Sequence, residues 1–162
     1  MRVTWQKFDW VEVQVFEPEA ASKKAILFCP GLPGMGATVF EQRHAAALCS
    51  LGYYVLVIKH KGVRLDSPFA PLFVNNGARL MESRKKKETH LGGGPAKIKE
   101  WLKEPAKVLS VIADKFDDIH VIGNSFGALS AMYALTKKDM VLGNVKTLLF
   151  YAGAQGIWVD GD

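Results

Sequence analysis

The stretch Ile119–Leu135, IHVIGNSFGALSAMYAL, carries an apolar run into Gly123-Asn124-Ser125-Phe126-Gly127 and out again into a helix-forming sequence. IHVIG reads as a strand and Phe126 to Lys138 as a helix, so the chain must turn abruptly between them. A serine at the apex of such a turn takes a strained backbone. Glycines are then needed two positions to either side, where a Cβ would meet neighbouring chain. The turn lifts Ser125 Oγ clear of the sheet edge, at the start of a helix whose amides and dipole favour negative charge. Ser125 is therefore a candidate nucleophile. The competing reading is a glycine-rich turn in some other doubly wound protein, with Ser125 only capping the helix.

Working outward, the elements around this stretch alternate. Val11, Val13 and Val15 alternate with Glu12 and Gln14, the period of a half-exposed strand, and FEPEAASKK breaks it with Pro18 and charges; an antiparallel edge hairpin fits. AILFC (Ala25–Cys29) and YYVLVI (Tyr53–Ile58) are unbroken apolar runs of the type buried on both faces of a parallel sheet. Between them the sequence predicts a helix, with Thr38 as N-cap and Gly52 as the C-terminal glycine. Ile98, Trp101, Leu102, Val108, Leu109, Ile112 and Phe116 form a helical stripe that Pro105 kinks or divides. VKTLLFYAG (Val145–Gly153) reads as a further buried strand. Residues 1–162 thus make a single α/β domain with a mainly parallel sheet flanked by helices. The segment 59–95 holds Pro68, Pro71, Gly77 and Gly92 to Gly94, and reads as a loop-rich insertion near a site, with a short helix around Ala78 to Lys87.

Directly after the first buried strand comes CPGLPGMG (Cys29–Gly36), which can bring a backbone amide to the same sheet edge as Ser125. Acyl transfer needs two preorganised N–H donors for the developing oxyanion. Phe126 N–H and Leu32 N–H are the pair chosen here, since Pro33 has no N–H to offer. With both features in order, the chain resembles the α/β-hydrolase superfamily: a G-x-S-x-G elbow between strand and helix, and a glycine-rich loop after an earlier strand. The resemblance covers roughly Val11 to the end. It implies Ser125 as nucleophile, Phe126 and Leu32 as oxyanion donors, and Gly31, Gly123 and Gly127 as the glycines of loop and elbow. Where many members have His-Gly at the start of the oxyanion loop, this chain has Pro30-Gly31. A serine at the elbow argues against the dehalogenase and epoxide hydrolase branches, which place Asp there.

The resemblance also implies a triad running Ser, acid, His along the chain, and no histidine follows Ser125. A serine without a base is a poor nucleophile. Of the four earlier histidines, His120 lies on the strand itself, about 15 Å from Ser125 at ~3.3 Å per residue. His44 falls on the first helix and His90 in the insertion. His60, emerging at the strand ends where ligands gather, is the remaining candidate base, against a rim or substrate-contact role. Asp160 stands where some members carry the triad acid; Asp139 and Asp66 fit less well. Cys29 ends an apolar strand and reads as packing.

Members of this superfamily normally have two further strands, with the histidine after the last, so the fold expected here is one incomplete at the C-terminus. Three arrangements fit: the N-terminal part of a longer hydrolase, a chain completed by a partner, or a short relative that kept the fold and lost the chemistry. The first two expect an unpaired sheet edge at Val145 to Gly153, open to self-association or to a complementary chain. The third expects that edge to be covered.

Composition narrows the rest. With 49% hydrophobic and 23% charged residues this is an ordinary globular composition. The net charge of +5 is local: Arg84 to Lys87 supply four of the 21 basic residues, leaving 17 against 16 acids. Such a run is most simply a solvated face, and no nucleic-acid-binding motif accompanies it. Two cysteines are too few for a disulfide scaffold or a zinc site, which favours a reduced, cytoplasmic setting. No apolar run reaches membrane-spanning length. The function expected is a serine hydrolase cleaving an ester, thioester or amide of a small-molecule acyl substrate through an acyl-enzyme, with neither metal nor other cofactor; the alternative is a non-catalytic binding or scaffold protein on the same fold.

Overall fold

A computed structural model describes residues 1–31, 39–61, 90–91, 94–95, 97–137 and 143–151. An edge hairpin forms, but before β2 and not at FEPEAASKK: β1 (Arg2–Phe8), which the sequence reading did not single out, pairs with β2 (Val11–Glu17). Its turn places Asp9 at φ 57°, a left-handed position that aspartate tolerates better than most residues. β2 also pairs antiparallel with β4 (Tyr54–Lys59), so β1 alone takes the edge. This overrides the half-exposed reading of β2. Val11, Val13 and Val15 are buried on one face and Phe16 on the other, and Glu12 forms an ion pair with Lys59.

The remaining strands are parallel. β3 (Lys24–Cys29) lies between β4 and β7 (Asp118–Asn124), and β8 (Val145–Tyr151) pairs with the far side of β7. A separate antiparallel pair joins β5 (His90–Leu91) to β6 (Gly94–Pro95). The main sheet runs β1-β2-β4-β3-β7-β8, and within it only β2 opposes the common direction. The rest of the 59–95 insertion, including the helix expected around Ala78 and the run Arg84 to Lys87, lies outside the described residues.

Helices cover both faces, the arrangement a parallel sheet requires. α1 (Val39–Ser50) packs Ala45 and Cys49 onto Phe16, Ile26, Phe28, Val55 and Val57. It ends at Gly52, whose φ of 90° permits a Schellman closure: Tyr53 N–H reaches Leu48 O at 3.3 Å and Gly52 N–H reaches Cys49 O at 2.9 Å. Its expected N-cap, Thr38, lies outside the described residues. On the other face, α3 (Glu104–Ile112) and α4 (Phe126–Leu135) press Val108, Leu109, Ile112 and Ala131 onto Val13, Leu27, Leu56, Ile58 and Val121. The long helical stripe is divided, as Pro105 demanded: α2 (Ile98–Trp101) stops, and α3 restarts with Pro105 in its first turn, where a missing N–H costs nothing.

β8 is not the buried strand its composition suggests; among the described residues it is the unpaired edge that two of the three arrangements expect. It is the last strand of the sheet among the described residues, and Leu148 and Leu149 are 48% and 54% exposed. Its start is pinned by Asn144, whose Nδ2 donates to Ala113 O and to Phe116 O, the latter at 2.7 Å, while its own carbonyl accepts Ile119 N–H at 2.8 Å. Asn144→Ala should cost about 1–3 kcal/mol in urea unfolding, the penalty for two carbonyls stripped of their donor.

Candidate active site

β7 delivers the chain to Ser125, and α4 takes it away at Phe126. Ser125 has φ 52° and ψ −119°, the one non-glycine residue besides Asp9 with positive φ among those described. A β-carbon in that region is strained by roughly 1–3 kcal/mol and persists only where its surroundings dictate it. They do so here from both sides. Ser125 N–H donates to Tyr151 O of β8 at 3.1 Å, and Ser125 O accepts Ala128 N–H at 3.0 Å. Its side chain makes no capping bond to α4, which removes the capping reading. Phe126 stands at the first position of α4, where the helix itself offers no acceptor for its N–H.

The glycines around it are sterically compelled. A Cβ on Gly127 would stand 1.8 Å from Cys29 O, and one on Gly123 would stand 2.6 Å from Ala128 Cα. Gly31, in the loop after β3, lies directly over the serine, since a Cβ there would be 3.0 Å from Ser125 Cβ and 3.1 Å from Asn124 O. The loop and the elbow are therefore in contact, as the sequence required. Leu32, the second expected donor, and Asp160, the expected acid, lie outside the described residues.

His60 follows β4 but occupies neither a rim nor a substrate surface. It is 1% exposed, and burial corrects both expectations. Its Nδ1 meets Glu104 Oε2 at 2.6 Å and its Nε2 meets Pro30 O at 3.2 Å. A carbonyl can only accept, so Nε2–H donates to Pro30, and one further hydrogen lies between Nδ1 and Glu104. With both nitrogens engaged, His60 presents no lone pair to Ser125, and this geometry does not make it the base. The imidazole stacks on Trp101, with ring centres 4.9 Å apart at 13°, and meets the Phe126 ring edge-on at 5.5 Å.

Glu104, wholly buried at the start of α3, spends its second oxygen on Lys61 N–H at 2.7 Å, and Trp101 Nε1–H donates to Lys61 O at 2.8 Å. Sequence reasoning passed over this carboxylate. The signal was there: Glu104 stands four and eight residues before Val108 and Ile112, on the apolar stripe of its helix. The other histidines stand apart. His120 meets the Tyr53 ring edge-on at 5.6 Å and shares a register with Ile26, near the opposite end of β7 from Ser125. His44 is exposed on α1, and of His90 only its place in β5 is described.

The strand order with its one reversed strand, the sharp serine turn after the third parallel strand and the glycine loop against it decide the architecture. The fold is that of the α/β-hydrolases. Similar solved structures agree: a dienelactone hydrolase from Anabaena variabilis matches with a TM-score of 0.61 at 11% identity, over 94% of this chain and 62% of its own. A sugar hydrolase from Lactococcus lactis matches at 0.57 and 17% identity, over 94% and 53%. An α/β hydrolase from Novosphingobium aromaticivorans matches at 0.51 and 14%, over 92% and 43%. The chain therefore spans about half of the length of the structures it matches. No protein-family model and no curated protein matches the sequence. Among the described residues no three His, Cys, Asp or Glu side chains gather as for a metal ion, and no helix is long and apolar enough to cross a membrane.

Two outcomes follow from this α/β-hydrolase elbow. Gly127→Ala should destabilise by about 3 kcal/mol or more in urea, whereas Gly143→Ala, with nothing within 4 Å of the new carbon, should stay within about 0.5 kcal/mol. Cys29 is wholly buried, and burial first, then the Glu104 charge, holds its thiol well above the ordinary 9.0. Below pH 9 it is protonated in both folded and unfolded chains; above, only the unfolded thiol ionises, so stability falls as pH rises. Between pH 8 and 10 the wild type should lose about 1 kcal/mol more in urea unfolding than Cys29→Ala does.

Proposed function

We propose that this chain carries the nucleophilic half of a serine hydrolase that cleaves an ester, thioester or amide through an acyl-enzyme on Ser125. The observation that carries the reading is the left-handed Ser125 held at the elbow with Gly31 packed over it. Ser125 Oγ attacks the acyl carbonyl, and Phe126 N–H, with Leu32 N–H, receives the oxyanion that forms. The leaving alcohol, thiol or amine departs with a proton, and water then releases the acid. The similar structures, a dienelactone hydrolase and a sugar hydrolase among them, favour hydrolysis without choosing a substrate.

The base, in this reading, comes from polypeptide that adds to the open edge of β8, since among the described residues no imidazole offers Ser125 a lone pair. Asp160 remains the candidate acid. The engaged nitrogens of His60 also favour a second reading, a binding or scaffold protein on the same fold.

A tagged fluorophosphonate separates them. In extract of the native source, label should fall on the Ser125 peptide, and intact mass should show whether the labelled species is this chain or a longer one. Purified Ser125→Ala should take no label and lose p-nitrophenyl ester hydrolysis by about a thousandfold or more. Folded protein whose Ser125 stays unlabelled in extract and in isolation would establish the scaffold reading instead.

A further inference from the structure

Three buried side chains, His60, Glu104 and Trp101, converge on backbone groups at the ends of two strands. His60 Nε2–H holds Pro30 O after β3, Glu104 Oε1 holds Lys61 N–H after β4, and Trp101 Nε1–H holds Lys61 O. These three backbone groups beyond the strand ends are met by side chains from α2, from the start of α3, and from His60 itself.

A buried ion pair or shared-proton pair is a poor way to gain stability, because desolvation offsets most of the attraction and apolar replacements of similar volume are often as stable. Its benefit has to lie in direction. Here the direction is toward the serine. Pro30 precedes Gly31, the residue packed over Ser125 Cβ, and fixing the Pro30 carbonyl fixes the plane of the Pro30–Gly31 peptide, since that unit is rigid. The same imidazole touches the ring of Phe126, the residue after the nucleophile, as does Trp101 at 6.3 Å and 76°. One ring thus bears on both the loop after β3 and the elbow.

We infer that His60, held by Glu104 and Trp101, is a positioning residue that sets the Pro30–Gly31 peptide over Ser125 and so orients the oxyanion loop. The inference rests on the hydrolase reading for its catalytic meaning, but its structural content is independent of it. His60 does not touch the reacting atoms; it acts through the Pro30 carbonyl.

The test contrasts two amides of different reach in the full chain. In His60→Gln the side-chain nitrogen falls near the position of Nε2 and keeps the donor to Pro30; in His60→Asn it falls near Nδ1, keeps Glu104 partnered and leaves Pro30 bare. Gly31 amide hydrogen exchange, read by NMR, should accelerate about tenfold in His60→Asn and stay near wild type in His60→Gln. Under the hydrolase reading, p-nitrophenyl acetate turnover should show kcat down about ten- to a hundredfold in His60→Asn with KM within about twofold, and rescue in His60→Gln. His60→Phe combined with Glu104→Leu, which leaves neither polar partner stranded, should keep the fold and match His60→Asn in exchange. Equal exchange at Gly31 in all variants, or losses that follow only the folded fraction, would overturn the inference. If Ser125 takes no fluorophosphonate in native extract, where any completing polypeptide is present, the hydrolase reading fails while Gly31 exchange still decides the brace.

Discussion

Among the described glycines the tightest place is the first turn of α4 against the end of β3, where Gly127 meets Cys29 O with no room for a methyl group. A larger residue would push α4 off the sheet, and with it the serine turn that α4 begins. The contact is also what brings the loop after β3 within reach of Ser125, because the carbonyl that fills Gly127's missing side chain belongs to the residue before Pro30. The loop and the elbow are two readouts of a single packing distance.

That packing leaves the strand ends with a problem. β3 and β4 stop at about the same level; the Pro30 carbonyl just beyond β3 is buried, and the Lys61 backbone groups just beyond β4 are part-buried. A helix or a further strand would satisfy them in a structural protein, but it would close the cleft. Instead His60, Glu104 and Trp101 reach in from the side and satisfy Pro30 and Lys61. Polar burial is costly without such partners. The brace lets β3 and β4 end abruptly with these backbone groups satisfied.

The sequence made most of the frame legible. Buried parallel strands declare themselves as unbroken apolar runs, so β3, β4 and β7 emerged within about a residue of their ends, and Gly123, Gly127 and Gly31 were interpretable because only a steric demand explains them together. Gly52 likewise announced the end of α1. What escaped was long-range polar pairing. His60 and Glu104 lie 44 residues apart, and no spacing rule joins a strand end to a helix start across an insertion. β8 was half legible: the resembled fold's further strands made an unpaired edge the expectation there, whereas the composition of VKTLLFY alone is that of a buried strand. Composition reports what a strand could bury, and topology decides whether it does.

The open side of β8 is therefore tied to the site. Leu149 and Tyr151 on one face of β8 join Phe28, Leu48 and Leu51 around an apolar groove of about 370 Å³ beside α1, and Leu148 stands exposed on the other face. Such a surface favours company, whether strand or helix. The inner side of the same strand supplies Tyr151 O to the Ser125 amide. Strain at Ser125 persists only while β8 keeps its register on β7, since a slip of one residue would turn every side chain of β8 to the opposite face and present Phe150 O or the next carbonyl in place of Tyr151 O. A segment paired with the outer edge of β8 would steady that register, so the edge would bear on the serine through the seven residues of the strand.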